Sequence, residues 1–239
     1  MKAISTQKLS ILVPAYNEER TIVAVLNELV DLELPSGIGK EVVVVDDRST
    51  DRTAEVVEQF IAEHGQGLVY LVRQEVNRGK GAAIHQGLNT ATGTWVVMQD
   101  ADLELDARDI VPMLGLVLGG KADVVYGNRF HKGLPYSGFP FGSYMANIFL
   151  TWLSNRFTGL SLGDMEVCYK LMSLEVARSL ALYEQRFGFE PEVTAALARR
   201  KELRWSQVPV SYRARSAAEG KKIGWKDGVH AIWCILKYR

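Results

Sequence analysis

The sequence predicts an α/β fold with a mostly parallel central sheet flanked by helices on both faces. Three observations carry that expectation. Short β-branched runs alternate with segments of helical period from Leu9 to Tyr126. Polar clusters recur where those runs end. The composition, 47% hydrophobic and 23% charged over 239 residues, is that of a globular chain able to bury a substantial core.

The elements follow in order. Leu9-Ser10-Ile11-Leu12-Val13-Pro14 reads as a strand stopped by proline, and a helical period runs on through Ile22, Val25, Leu26 and Leu29. Glu41 to Asp46 is a buried-type strand, apolar on both faces. Asp51 can cap a helix striped by Ala54, Val57, Phe60 and Ile61. Leu68–Val72 is a third strand, Gly81–Ala91 a third helix and Trp95–Gln99 a fourth strand. A helix near Asp109–Leu118 leads to a fifth strand, Ala122–Tyr126. Repeated β-α-β units of this kind build parallel sheets that bind ligands beyond the carboxyl ends of their strands.

Beyond Tyr126 the pattern changes. Gly133–Gly142 is rich in glycine, proline and aromatics and reads as a loop or lid. Tyr144–Phe157 reads as an amphipathic helix, Glu190-Pro191-Glu192 as the opening of another, and Trp205–Tyr212 as a strand. Ala214–Gly220 reads as a mobile loop and Trp225–Tyr238 as a terminal helix. With no repeats or linkers, residues 1–239 are expected to form a single domain.

Charge and cysteines exclude several functions. Lys+Arg and Asp+Glu both total 28, so whole-chain charge gives no argument for nucleic acid. Locally, Glu41–Glu63 carries net −5, Asp100–Asp109 net −4 and Arg199–Asp227 net +6. An acidic metal site beside an anion-binding arm and an ordinary uneven surface both fit that asymmetry. Cys168 and Cys234 offer neither a disulfide framework nor metal-ligand spacing, which suits a reducing, cytoplasmic setting. The N-terminus lacks the apolar region of a signal peptide, and Asn147–Leu153 is far short of the roughly 20 residues of a membrane span.

Four polar clusters sit at strand ends: Tyr16-Asn17-Glu18, Asp46-Asp47, Asn77 to Lys80, and Asp100-Ala101-Asp102. Two carboxylates one residue apart at a strand end can reach a hard divalent cation together, and such ions often also hold substrate phosphates. A solvated turn with Asp106 capping the next helix is the alternative. An EF-hand is excluded, because Leu105 stands where its glycine belongs and Val111 where its glutamate belongs. Asp51 and Ser49 are explained as helix-cap chemistry, whereas Asp46 and Asp47 at the strand end can accept from a base N–H or a ribose hydroxyl. Asn77-Arg78-Gly79-Lys80-Gly81 lets backbone approach a ligand and adds a charge, or forms a tight turn. Ala82 rules out a Walker loop, and no Gly-x-Gly-x-x-Gly turn follows the first strand. Arg129, Arg213, Arg215, Lys221 and Lys222 are either an anion site or surface charges. His64, His85, His131 and His230 show no ligand spacing, and Ser143 lacks a His/Asp partner pattern.

Taken in order, these motifs resemble glycosyltransferase family 2. They are Val13-Pro14-Ala15-Tyr16-Asn17-Glu18, Asp46-Asp47-Arg48-Ser49-Thr50-Asp51, Asn77-Arg78-Gly79-Lys80-Gly81 and Asp100-Ala101-Asp102. Gly127-Asn128-Arg129-Phe130, Asp164 to Lys170, Phe187 to Glu192, Val208-Pro209-Val210 and Gly220 to Trp225 are similar to the dolichyl/polyprenyl-phosphate sugar transferase branch. The likeness runs from about residue 9 to 239.

The resemblance implies a Rossmann-like GT-A fold, with a nucleotide-sugar half at about 1–130 and an acceptor half at about 131–239. It implies a hexosyltransferase using Mg²⁺ or Mn²⁺ and a donor of the GDP-mannose or UDP-glucose type. The acceptor would be a polyprenyl phosphate, reached through peripheral contact at the cytoplasmic membrane face. A soluble hydroxyl acceptor, or nucleotide-sugar binding without catalysis, are the other readings. Carried over by residue, Pro14, Tyr16, Glu18, Asp47, Gly79, Lys80, Asp100 and Ala101 bind the nucleotide sugar. Asp100, Asp102 and Glu104 would hold the metal, and Arg129, Arg215 and Lys222 the acceptor phosphate. Asp102, Asp164 and Arg129 form the catalytic set, with Asp164 the base if the acceptor is a hydroxyl. The branch often has Gln where this chain has Glu104, and Thr where it has Gly163. The implied reaction is an in-line displacement that inverts the anomeric centre. A phosphate nucleophile is already an anion, so it needs positioning more than it needs a base.

Overall fold

The computed structural model describes residues 7–64, 67–131, 140–214 and 225–239. Four strands form the first half: β1 (Lys8–Ala15), β2 (Gly39–Asp46), β3 (Val69–Arg73) and β4 (Trp95–Met98). Between them run helices α1 (Ile22–Asp31), α2 (Thr53–His64) and α3 (Lys80–Thr90). A 3₁₀ turn at Ala107–Asp109 leads into α4 (Ile110–Leu118), and β5 (Val124–Asn128) follows. The remainder comprises α5 (Phe141–Thr158), β6 (Lys170–Ser173), α6 (Leu174–Ser179), α7 (Phe189–Ala198), β7 (Trp205–Pro209) and α8 (Trp225–Tyr238).

All seven strands join one sheet in the order β3-β2-β1-β4-β6-β5-β7. β6 alone runs against its neighbours, antiparallel to both β4 and β5. The sheet is therefore mostly parallel, as the β-α-β pattern predicts. β1 and β2 sit inside it and are buried on both faces, which explains their unbroken Ile/Val/Leu runs. β1 does not stop at Pro14 but continues to Ala15. Leu12 O accepts from Gln99 on the β4 side and Ala15 O accepts from Asp47 on the β2 side. By that alternation the Pro14 nitrogen faces β4, whose pairing has already ended at Leu12, so the missing N–H costs no ladder bond.

Three further differences have physical reasons. β6 and α6 carry no strand or helix signal, being four and six residues long. β6 also begins on Lys170, which is fully buried and donates to the carbonyls of Met165 and Val167, its ammonium over the Tyr126 ring. β7 ends at Pro209 rather than Tyr212. α5 buries only Leu150, Thr151 and Ser154, and turns Phe141, Met145, Phe149 and Trp152 outward. Of the expected loops, 132–139 and 215–220 lie outside the described residues. Among the described residues no helix is long and apolar enough to cross a membrane.

Candidate functional site

Four loops meet at the carboxyl ends of β1, β2 and β4. The loop after β1 is zipped to the loop after β2. Asn17 N donates to Ser49 Oγ, Thr50 N to Asn17 Oδ1, Glu18 N to Thr53 Oγ1 and Arg52 N to Glu19 Oε2. Asn17 takes a left-handed conformation (φ 51°) that an asparagine tolerates. The same loop reaches the β4 loop through Thr21, whose hydroxyl bonds both the Glu18 carboxylate (2.7 Å) and the Ala101 carbonyl (2.9 Å). Thr21 thus brings the buried Glu18 and Ala101 together, with Pro14 and Tyr16 on the strand end and loop that lead to Glu18.

Asp47 is committed to the next loop. Its two oxygens accept the backbone N–H groups of Arg78 (2.8 Å) and Gly79 (2.6 Å). Burial pushes its carboxyl up, with Asp46 adding to the effect, against the pull of those two amides. The glycines of this loop answer to protein as well as to any ligand. A β-carbon on Gly79 would meet Arg186 and the Gln185 carbonyl at 2.8 Å, and Gly79 has φ of 99°. One on Gly81 would strike the Glu184 carbonyl. Ala82 N donates to Gln185 O at 2.9 Å, so residues 184–186 form the wall against which this loop is built.

Lys80 joins the two halves of the chain. Its ammonium lies 2.8 Å from Asp100 Oδ1 and 3.0 Å from Glu190 Oε1, the latter from the first turn of α7. Burial disfavours the lysine charge, but the Asp100 and Glu190 carboxylates outweigh it and hold the ammonium protonated well above the ordinary range. Burial likewise works against the Asp100 carboxylate, and Lys80 reverses it, keeping the group below its usual value.

Asp102 is buried and accepts the Glu104 N–H at 3.1 Å. Glu104 accepts the Tyr212 hydroxyl at 2.8 Å, and its carbonyl accepts Arg213 N. Leu105 pairs with Tyr212 as an antiparallel bridge. The acidic loop is therefore fastened to residues 210–213, the described start of the basic C-terminal stretch. Arg215 and Lys222 lie beyond that segment, outside the described residues. Asp100, Asp102 and Glu104 do not form a group of three converging ligand atoms. That differs from a three-carboxylate cage but suits a hard cation held by one or two carboxylates and completed by substrate phosphates.

Arg129 and Asp164 lie together on the other side. Asp164 is fully buried, and its oxygens accept from Arg129 Nε (2.6 Å) and Nη2 (2.9 Å). The guanidinium also lies 5.2 Å from the Phe130 and Tyr212 ring centroids. Burial opposes its charge and Asp164 more than restores it, so the guanidinium stays charged.

Two acids escaped sequence reasoning as site residues. Glu190 Oε2 and Glu166 Oε1 are buried without a hydrogen-bond partner among the described residues. Burial, and then the neighbouring Glu190, push the Glu166 carboxyl up to about 8. The available signal was the pair of acids opening a helix that is buried along its whole length.

Comparisons with known proteins fit this arrangement. The sequence model of glycosyl transferase family 2 matches residues 10–178. A dolichyl-phosphate β-glucosyltransferase of Drosophila melanogaster is 31% identical over 229 residues, covering 86% of this chain and 67% of that protein. A dodecaprenyl-phosphate galacturonate synthase of Rhizobium johnstonii is 26% identical over 220 residues, covering 91% of this chain and 62% of that protein. Among solved structures, glucosyl-3-phosphoglycerate synthase of Mycobacterium tuberculosis, crystallised with Mn²⁺, UDP and glucosyl-3-phosphoglycerate, superposes with a TM-score of 0.71. It is 22% identical and covers 97% of this chain and 80% of that one. The same enzyme crystallised with Mg²⁺ and UDP gives 0.70 at 23% identity, with 97% and 79% covered.

Proposed function

The chain belongs to glycosyltransferase family 2, and from that premise we propose that it moves a hexose from a nucleotide sugar to a polyprenyl phosphate. The observation that carries the reading is the Asp100–Lys80–Glu190 relay. It places one charged network where the nucleotide loop, the acidic β4 loop and α7 meet. The unpartnered Oε2 of Glu190 borders it, and a buried acceptor of that kind calls for a donor such as a sugar hydroxyl.

Each residue has a part. Pro14, Tyr16 and Glu18 line the nucleotide pocket, and Asp47 shapes the Gly79–Lys80 turn around it. Asp102, aided by Asp100 or Glu104, would hold Mg²⁺ or Mn²⁺ against the donor diphosphate, a fit supported by the all-oxygen donor set. A bound divalent cation would neutralise the charge growing on the departing nucleoside diphosphate.

On the acceptor side Arg129 presents a fixed positive charge, and Asp164 fixes its direction. A carboxylate with both oxygens bound to a guanidinium is a poor base. That favours an acceptor that is already anionic over a hydroxyl, with Arg215 and Lys222 completing its cradle. The outward aromatics of α5, Phe149 at 45% and Trp152 at 59% exposed, would rest in the headgroup region of the membrane that carries the lipid. Arg239 over Phe157 supplies cationic character at that edge.

A product assay tests the reading. The chain is incubated with GDP-mannose or UDP-glucose, Mn²⁺ and a short polyprenyl phosphate in micelles. Transfer of label into the lipid fraction, lost in Asp102→Asn, is the expected result. Label appearing only in water-soluble sugars would replace the lipid acceptor with a hydroxyl one.

A further inference from the structure

His230 and Cys234 stand one turn apart on α8, on the same side of the helix. Glu184, in the segment before α7, faces them. His230 Nε2 lies 3.0 Å from Glu184 Oε2 and 3.4 Å from Cys234 Sγ. All three ligand atoms fall within 4.8 Å of one another, and among the described residues no other His/Cys/Asp/Glu group of three does so. Gly188 marks the point they share. A β-carbon there would lie 2.7 Å from the Cys234 sulfur, 2.8 Å from Glu184 Oε2 and 3.0 Å from His230 Nε2. The three donors thus cluster beside Gly188, where any side chain would crowd them.

We propose that Glu184, His230 and Cys234 form a second metal site, for Zn²⁺ or a similar borderline-soft cation, distinct from the carboxylate site that serves the donor. Tetrahedral zinc with ordinary bond lengths gives an N···O edge of about 3.3 Å and an N···S edge of about 3.5 Å. The observed 3.0 and 3.4 Å need only small adjustment. A thiolate, a carboxylate and a neutral imidazole balance a doubly charged ion, and the thiol proton leaves to solvent on binding. The rest of the carboxylate is already held: Glu184 Oε1 accepts from Tyr238 (2.7 Å) and Lys237 (3.1 Å). Such outer bonds orient a ligating carboxylate. Three protein ligands leave a fourth position for water.

The location gives the site a purpose. Residues 184–186 form the wall behind Gly79 and Gly81. A metal joining that wall to α8 fixes the C-terminal helix to the segment shaping the nucleotide loop. The separation of the two sites by chemistry follows from their donors. Mg²⁺ suits oxygen and ignores thiolate, whereas Zn²⁺ and Co²⁺ accept sulfur and nitrogen.

Cobalt provides the readout. Metal-stripped protein in excess Mg²⁺ is titrated with Co²⁺. A thiolate-to-cobalt charge-transfer band is expected to saturate at one equivalent and to disappear when Zn²⁺ is added. Cys234→Ser should abolish the band while Cys168→Ser keeps it. His230→Ala, at a half-exposed position that tolerates truncation, should weaken Co²⁺ binding at least about tenfold with circular dichroism unchanged. Zn²⁺ should raise the melting temperature of the parent chain and not of His230→Ala. No band in the parent chain, a band surviving in Cys234→Ser, or unchanged affinity in His230→Ala would each overturn the site.

Discussion

Asp164 grips Arg129 through both carboxylate oxygens, at 2.6 Å to Nε and 2.9 Å to Nη2, with the acid entirely buried. The pair spans 35 residues of sequence and sets the direction of a charge that cannot be removed at physiological pH. Asp164→Asn leaves that guanidinium buried without its counter-charge. It should destabilise the chain by about 3 kcal/mol, the lower end for breaking one side of a buried pair. It should also raise KM for polyprenyl phosphate. Thermal melts and steady-state kinetics check both. A drop in kcat alone, with stability and KM unchanged, would make Asp164 a base instead.

Lys80 holds Asp100 and Glu190 together, so its removal leaves a half-buried and a buried carboxylate without their shared cation. Lys80→Ala should weaken UDP or GDP binding at least about tenfold, or about 1.4 kcal/mol. Asp102→Asn should behave differently and remove chiefly the dependence of that binding on Mn²⁺. Calorimetric titration of each nucleotide, with and without metal, distinguishes the two patterns. Identical losses in both variants would mean that Lys80 and Asp102 serve the same contact.

These two networks also show where sequence reading succeeds and where it stops. The strands β1, β2 and β4 are readable because strands covered on both faces are near-continuous apolar runs. β6 is not, because its first residue is a buried lysine whose charge is satisfied by carbonyls from the preceding turn. The Asp100–Asp102 loop draws notice in the sequence as two acids one residue apart at a strand end, and in the fold Asp100 pairs with Lys80 while Asp102 accepts the Glu104 N–H. Glu190 was visible as a helix opener and within the Phe187–Glu192 motif but with no role, since its partner Lys80 lies far away in the chain. Gly79 and Gly81 read as an approach for ligand or as a tight turn, and the fold adds a demand from far along the chain, the close packing of 184–186. His230 and Cys234 stand four residues apart on the predicted terminal helix, a spacing the sequence reading passed over, while Glu184 was out of reach because it comes from a different element.

Glu166 carries a carboxyl pushed up to about 8 by burial and then by Glu190. In the unfolded chain it titrates near 4.5. Between those values the unfolded state has released a proton that the folded state still holds. Stability therefore falls as pH rises through that window. Glu166→Gln keeps the shape and removes the titration. It should flatten the decline and gain on the order of a few kcal/mol at pH 8 relative to the parent chain. Urea melts at pH 5 and pH 8 measure it. A parent chain equally stable at both values would mean that Glu166 is ionised when folded.

Glu41 gives the opposite sign. Although 3% exposed, it accepts from Lys8 (2.7 Å), Ser10 (2.6 Å) and Thr92 through N (2.6 Å) and Oγ1 (2.8 Å). Burial raises its carboxyl, but the bonds from Lys8, Ser10 and Thr92 win and bring it down to about 2. A depressed folded value contributes stability that is present above pH 4.5 and lost as pH falls toward 2. The bonds tie the start of β1 to β2 and to the turn before β4, so they fasten three adjacent strands at the end opposite the site. Glu41→Ala should cost about 3 to 5 kcal/mol at pH 7 by stranding those donors. Glu41→Gln should lose less at pH 7, because its amide oxygen still accepts, and should be nearly insensitive to acid at this position. Acid titration followed by circular dichroism should therefore show a transition that the glutamine variant shifts to lower pH relative to its own neutral stability. Parallel acid transitions in the two proteins would place the acid-labile contact elsewhere.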